Sequence, residues 1–362
     1  MGKSTILSGL KSYLTGSLEG GIEFGSNCIK IVKYSQGCNQ IEKMQRVPFS
    51  QEVYKQGAIL DEEEFISVLA PVVKSMGLVL HDVALVLPDT IFIISNLIIF
   101  KTESEEEKLE LIRSELEEKV YNFDASLYEI KYLDIADVES KKEEVQAFAL
   151  SIEMKEHYVT LLEKLKLFPI MVTPTVYPLS LVLLQQKVLI GLPLYKSGVL
   201  VNLGGGNTKI LIEVGRECKY YRTAALGSNE GNTLIQEYLS VNSEVAEVVK
   251  REFDLMVDLP ATNSYYGVFT DFKHLIQDNF EQIESIIEIY EKNNSKQFID
   301  WVIITGGVVE QKGILEFLSQ IALRQGRNYK IIKADYSKKF SSKLKNSDEF
   351  ILYDSLVGFL KE

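Results

Sequence analysis

The sequence of 362 residues is poor in cysteine, histidine and tryptophan, with three, three and one respectively. Cys28, Cys38 and Cys218 lie far apart, and neither a CxxC nor an HExxH spacing occurs. That argues against a disulfide scaffold and against the common zinc sites, and leaves reduced, structural thiols as the expectation. Basic residues are also short: 39 Lys and Arg stand against 51 Asp and Glu, a formal net charge of −12. Neither a nucleic acid nor an anionic membrane surface is therefore the expected partner.

Long apolar runs are missing too. The most apolar window, residues 83–100, is broken by Pro88, Asp89 and Asn96. It is expected to form two buried strands joined by a turn, with no direct membrane insertion. No signal-peptide core occurs near the start, so the expected location is cytoplasmic. Ile6, Leu7, Leu10, Leu14 and Leu18 are spaced for a short amphipathic helix packed on its own domain. What is present is an ordinary globular balance, 46% hydrophobic and 25% charged, over a length that suits two domains with a cleft between them.

Element patterns follow the chain. Residues 61–75 and 103–119 show helical spacing of apolar positions, with Phe65, Val68, Leu69 and Val72 in the first and Leu109, Ile112 and Leu116 in the second. A strand is expected at 146–152, a helix at 155–166 and a buried strand at 167–172. Beyond Gly198 come strands at 199–203, 208–214, 217–223 and 301–304. Helices are expected at 230–239, 243–253, 268–293 and 312–325, with a closing segment at 350–361.

An internal repeat is the most informative feature. Glu23, Gly25 and Lys30 recur as Asn202, Gly204 and Lys209, each 179 positions further on, with Ile22 matched by Val201 and Ile31 by Ile210. One strand–turn–strand unit used twice implies two related lobes. A tight turn of small residues exposes successive backbone N–H groups and so forms an anion site without side chains. The turns Gly25-Ser26-Asn27 and Gly204-Gly205-Gly206-Asn207 are thus expected to clamp one polyphosphate from opposite sides. Gly306 and Gly307 follow a buried strand, where a ring or ribose can lie close to the backbone. Glu247 and Lys250 are one helical turn apart and can point into one cleft, although a solvated ion pair gives the same spacing.

These residues resemble the actin-like ATPase superfamily. The segments 21–30 and 201–208 look like its two phosphate motifs, 304–307 like its adenosine motif, and 243–250 like the helix whose Glu and Lys approach the nucleotide. Within it the sequence is similar to the PilM family, through 113–123, 148–172 and the closing Tyr353-Asp-Ser-Leu-Val-Gly-Phe-Leu. The resemblance implies an α/β, actin-like (ribonuclease H-like) two-domain fold with a duplicated mixed β-sheet. The first half would span 1–198, with a small α+β subdomain inserted at about 88–165. The second would span 199–362, with a mainly helical subdomain at about 228–299.

The resemblance also implies a function. Members bind ATP or ADP between their halves and sit at the inner face of the cytoplasmic membrane. There they hold the cytoplasmic tail of a PilN-like single-pass membrane subunit in a type IV pilus or related secretion platform, where a motor ATPase is a further expected contact. In the family an aspartate opens each phosphate motif and holds hydrated Mg²⁺; here those positions are Glu23 and Asn202. One is longer and the other uncharged, which implies a weakened Mg²⁺ site and little or no turnover. An active ATPase or kinase would need that metal site intact. A filament-forming scaffold of the FtsA kind would end in a basic amphipathic helix, and the closing Gly358-Phe-Leu-Lys-Glu362 is not one.

Overall fold

A computed structural model describes residues 18–360 apart from 27, 56, 140, 190, 194, 216, 295–297, 337–338, 340–343 and 345–352. Ile6, Leu7, Leu10 and Leu14, Asn27 and part of the closing segment therefore lie outside the described residues.

The chain opens with β1 (Gly20–Phe24), β2 (Cys28–Tyr34) and β3 (Ile41–Pro48), then a small ribbon of β4 (Tyr54–Lys55) and β5 (Ala58–Ile59). Helix α1 (Glu62–Met76) follows. It starts where Asp61 accepts a hydrogen bond from the Glu64 N–H and ends at Gly77 in the left-handed region. Next come β6 (Asp82–Leu87), β7 (Ile93–Phe100), α2 (Glu105–Lys119), β8 (Tyr128–Glu139), β9 (Lys142–Ser151), α3 (Ile152–Lys164), β10 (Phe168–Pro174) and α4 (Val176–Leu189). The remainder is β11 (Gly198–Leu203), β12 (Thr208–Val214), β13 (Glu217–Ala224), α5 (Asn229–Leu239), α6 (Ser243–Glu252), α7 (Tyr266–Asn293), β14 (Trp301–Thr305), α8 (Ile314–Arg324), β15 (Lys330–Lys333) and α9 (Asp354–Val357).

Two five-stranded sheets share one topology. The first runs β3-β2-β1-β6-β10 and the second β13-β12-β11-β14-β15. In each, the first strand pairs antiparallel with the second and parallel with the fourth. The register carries the sequence repeat into space, since Glu23 faces Lys30 across β1 and β2, and Asn202 faces Lys209 across β11 and β12. The parallel strands β6 and β14 are buried almost throughout, which is why they are continuous apolar runs and do not alternate.

One hydrophobic core runs through both sheets, from Val32, Ala84 and Val86 of the first to Val199, Ile210 and Ile303 of the second. Helix α4 packs against α9, and Gly358 approaches the Pro178 carbonyl so closely that an added Cβ would stand 2.1 Å from its oxygen. The two halves are thus packed together, and within the core a fully buried ion pair of Lys187 and Glu213 (3.0 Å) is supported by the Lys196 and Gly215 carbonyls.

A separate three-stranded sheet, β7-β9-β8, carries α2 on one face and has its own core around Leu97, Ile112, Leu116 and Val145. Helix α3 packs elsewhere: Tyr158, Leu161 and Leu162 join the core of the first five-stranded sheet. The expectation of two buried strands in 83–100 holds for β6 but needs correction for β7. That strand lies at a sheet edge and alternates, burying Leu97 and Ile99 while Ile98 and Phe100 face solvent. Apolar density in this window concealed a one-sided, antiparallel strand.

Candidate functional site

The two repeated turns meet. Each closes in the same way, with the Gly25 N–H donating to the Cys28 carbonyl and the Gly204 N–H to the Asn207 carbonyl, at 3.0 and 3.1 Å. The Gly206 N–H then donates to Ser26 Oγ at 3.1 Å, directly bridging one half to the other. A Cβ at position 206 would lie 2.7 Å from that hydroxyl, so Ser26 would have to turn it away and give up the bond.

Above this junction opens a cleft of ≈ 620 Å³, lined by both halves. Gly25, Ser26 and Lys30 enter it from one side; Gly205, Lys209 and Gly307 enter from the other. Its volume falls within the roughly 300–1,000 Å³ usual for small-molecule sites. Sequence reasoning placed Gly25, Ser26, Lys30, Gly204, Gly205, Gly206, Asn207, Gly306 and Gly307 around one ligand; of these Gly25, Ser26, Lys30, Gly205 and Gly307 line the cleft, while Gly204, Gly206, Asn207 and Gly306 lie behind it in the turns and do not. Gly306, with φ +90°, lies against β11, where a Cβ would sit 2.4 Å from the Leu203 carbonyl oxygen. Only glycine suits both that conformation and that approach.

Glu247 and Lys250 project from α6 into the same cleft. Helix α6 is capped by Asn242, whose Oδ1 accepts from the Val245 N–H at 2.9 Å, and this fixes its first turn. The Lys250 ammonium is 2.6 Å from Glu247 Oε2, and Asn232 donates to the same oxygen at 2.9 Å. Lys250 is buried, so the pair is not the solvated one that the spacing alone allows. Burial works against the Glu247 charge, but Lys250, Asn232 and Arg251 outweigh it and hold its carboxyl down at about 2.

At the phosphate end, Glu23 is buried and accepts from Lys30 Nζ at 3.1 Å through Oε1 and from the Ser355 hydroxyl through Oε2. Burial raises its pKa, yet Lys30, then Lys209 and the Ser355 hydrogen bond, outweigh that and keep it below the ordinary carboxylate range. Asn202 donates its amide to Asp354 Oδ2 at 2.5 Å. Asp354 is itself buried, which pushes its carboxyl up to about 7, and its Oδ1 has no hydrogen-bond partner.

The resemblance assigned Mg²⁺ to Glu23 and Asn202. A hydrated cation there needs carboxylate oxygens free to bind it or to accept from its waters. Both Glu23 oxygens are instead taken by Lys30 and Ser355, and Asn202 turns an N–H to Asp354. Among the described residues, no group of three or more His, Cys, Asp or Glu could hold a metal ion. As arranged, these residues do not fit Mg²⁺.

Sequence reasoning missed several residues of the site. Asp354 and Ser355, at the start of α9, reach both repeat positions from the far end of the chain, and no local pattern announces that. Gly227, Ser228 and Asn229 cradle the second turn, Ser228 and Asn229 donating N–H groups to the Gly204 and Gly205 carbonyls at 3.0 and 2.9 Å. Small residues opening α5 were the available signal. Lys209 was visible as the repeat partner of Lys30 but carried no role of its own.

Comparison with known proteins fits this geometry. The fold is the actin-like one. A solved PilM–PilN type IV pilus biogenesis complex aligns over 95% of this chain and 98% of that one, at 15% identity and a TM-score of 0.75. The ethanolamine utilization protein EutJ from Carboxydothermus hydrogenoformans aligns over 94% and 88%, at 13% identity and a TM-score of 0.51. No curated protein matches the sequence. The family profile "Type IV pilus assembly protein PilM" matches residues 21–343. On that match, which spans most of its length, the chain belongs to the type IV pilus assembly protein PilM family.

Proposed function

We propose that this protein is a nucleotide-binding adaptor on the cytoplasmic side of a type IV pilus assembly platform. The observation that carries the reading is the Ser26–Gly206 hydrogen bond, which joins two copies of one phosphate-type turn at the floor of a ≈ 620 Å³ cleft. The Gly25, Gly204 and Gly206 N–H groups are engaged in closing and joining the turns, so the Ser26 and Gly205 N–H groups, with Lys30, would meet a polyphosphate, and Gly307 and the Glu247–Lys250 pair border the space for a nucleoside. ATP or ADP is the matching ligand. The Gly25, Ser26, Lys30, Gly205 and Gly206 positions would hold its phosphates, while Gly306, Gly307, Glu247 and Lys250 would shape the nucleoside end.

The adaptor role is supported by the family match and by the likeness to a chain solved in a PilM–PilN complex. Among the described residues no helix is long and apolar enough to cross a membrane. The partner proposed is accordingly the short cytoplasmic tail of a PilN-like single-pass subunit, through which the protein would sit at the inner membrane face. Calorimetry with ATP and ADP tests the cleft: saturable one-to-one binding is expected, and no heat or fluorescence change with either nucleotide would refute it. A peptide of the tail from the same gene neighbourhood should bind independently; if the full chain fails to retain it, the adaptor reading is wrong.

A further inference from the structure

The two hairpins differ at the repeat position held by Glu23 and Asn202. In the first, Glu23 faces Lys30 and the two form an ion pair at 3.1 Å. In the second, Asn202 faces Lys209 in the same register, but the carboxylate is absent and no ion pair forms. Directly opposed residues on an antiparallel pair stand side by side on one sheet face, so Lys209 projects beside Asn202 as Lys30 does beside Glu23. Lys209 lines the cleft, and no hydrogen bond or close ion pair engages it among the described residues. It shares the cleft lining with Glu23, Gly25, Ser26 and Gly205, which places it at the phosphate end. The Asn202 amide, meanwhile, is held away by Asp354.

A polyphosphate entering this end meets an ammonium already in position. Its charge needs neutralising, and a divalent cation is the usual means where carboxylates are available to carry one. Here the carboxylate of the first hairpin is already paired, and the second hairpin offers a lysine. An ammonium can serve phosphate as a point charge with three donors. We propose that the cleft takes the phosphate tail of its nucleotide without a divalent cation, with Lys209 supplying the positive charge. This rests on the nucleotide reading above and specifies the ligand form as the metal-free nucleotide.

The test is ATP and ADP binding by the full chain, measured by calorimetry in excess Mg²⁺ and in excess EDTA. The affinity should change by less than about threefold between the two, where each tenfold corresponds to about 1.4 kcal/mol. Lys209→Gln should weaken binding in EDTA by about tenfold, and Lys209→Arg should restore most of it. Circular dichroism and thermal unfolding of each variant verify that the fold is intact. Binding that appears only with Mg²⁺, or a Lys209→Gln variant that binds like the parent, overturns the inference while leaving nucleotide binding standing. Absence of binding in both buffers removes the nucleotide reading itself and this inference with it.

Discussion

Ser26 and Gly206 are 180 positions apart in the chain and 3.1 Å apart in space, where the hydroxyl of one accepts the backbone N–H of the other. A hydrogen bond of this kind contributes about 1 kcal/mol, but its place matters more than its strength. It sets the spacing of the two turns proposed to grip one ligand.

Gly206→Ala places a methyl group against Ser26, 2.7 Å from Oγ and 3.1 Å from Cβ, and should pry the turns apart. Nucleotide affinity is expected to fall by about tenfold. Ser26→Gly removes the obstacle together with the hydrogen bond, so the double variant should bind no worse than Ser26→Gly alone, a coupling that a double-mutant cycle measures directly. Additive losses would show that the two residues do not act on each other.

Gly306→Ala is a stability prediction. The residue has φ +90°, and its Cβ would sit 2.4 Å from a backbone oxygen of Leu203, which cannot move without shifting β11. Backbone strain and a backbone clash together should cost at least about 2–3 kcal/mol. Urea denaturation with unchanged slope and a lowered midpoint is the expected result; an unchanged midpoint would mean that the β11–β14 edge yields easily.

Glu284 on α7 predicts a pH dependence. It is buried, its Oε1 has no partner, and its other oxygen is 2.9 Å from Arg327 Nε. Burial pushes its carboxyl from the ordinary 4.5 up to about 7, with Arg327 opposing. A carboxyl raised by folding stabilises the fold while protonated. That contribution is full below the ordinary carboxylate range and is lost as pH climbs through about 7. Glu284→Gln should flatten the decline between about pH 5 and pH 8 by roughly 1–3 kcal/mol. Arg327 would keep Glu291 as a partner at 2.9 Å. Parallel stability curves for parent and variant would contradict this.

Slow chemistry is the fourth expectation. With Glu23 held by Lys30 and Ser355, and Asn202 held by Asp354, neither repeat position is arranged to place a catalytic metal. Phosphate release from ATP should stay below about one per minute, against roughly 1–10³ per second for ordinary enzymes. Faster release in a coupled phosphate assay would show that the site is catalytically assembled after all.

The sequence disclosed some of this more readily than the rest. Both hairpins were legible because their turns are rich in small residues and their flanks alternate, and the repeat of Glu23, Gly25 and Lys30 pointed to a shared ligand. Helices α1 and α2 were visible through apolar spacing and acidic first turns. Helix α4 was not, since Val176–Leu189 is buried almost all round and has no polar face to reveal a period. Strand β3 was hidden for the opposite reason: at a sheet edge, only Ile41 and Val47 are buried among its eight residues. The part played by Asp354 and Ser355 depends on the chain returning to β1 and β11 after more than a hundred residues, and only tertiary packing expresses that.

Hydrogen–deuterium exchange of the full chain with and without ATP probes the shared grip most directly. If both turns hold one polyphosphate, amides in residues 20–34 and 198–214 should gain protection together and at the same nucleotide concentration. Protection of one hairpin alone, or of neither while ATP is bound elsewhere, would contradict the account.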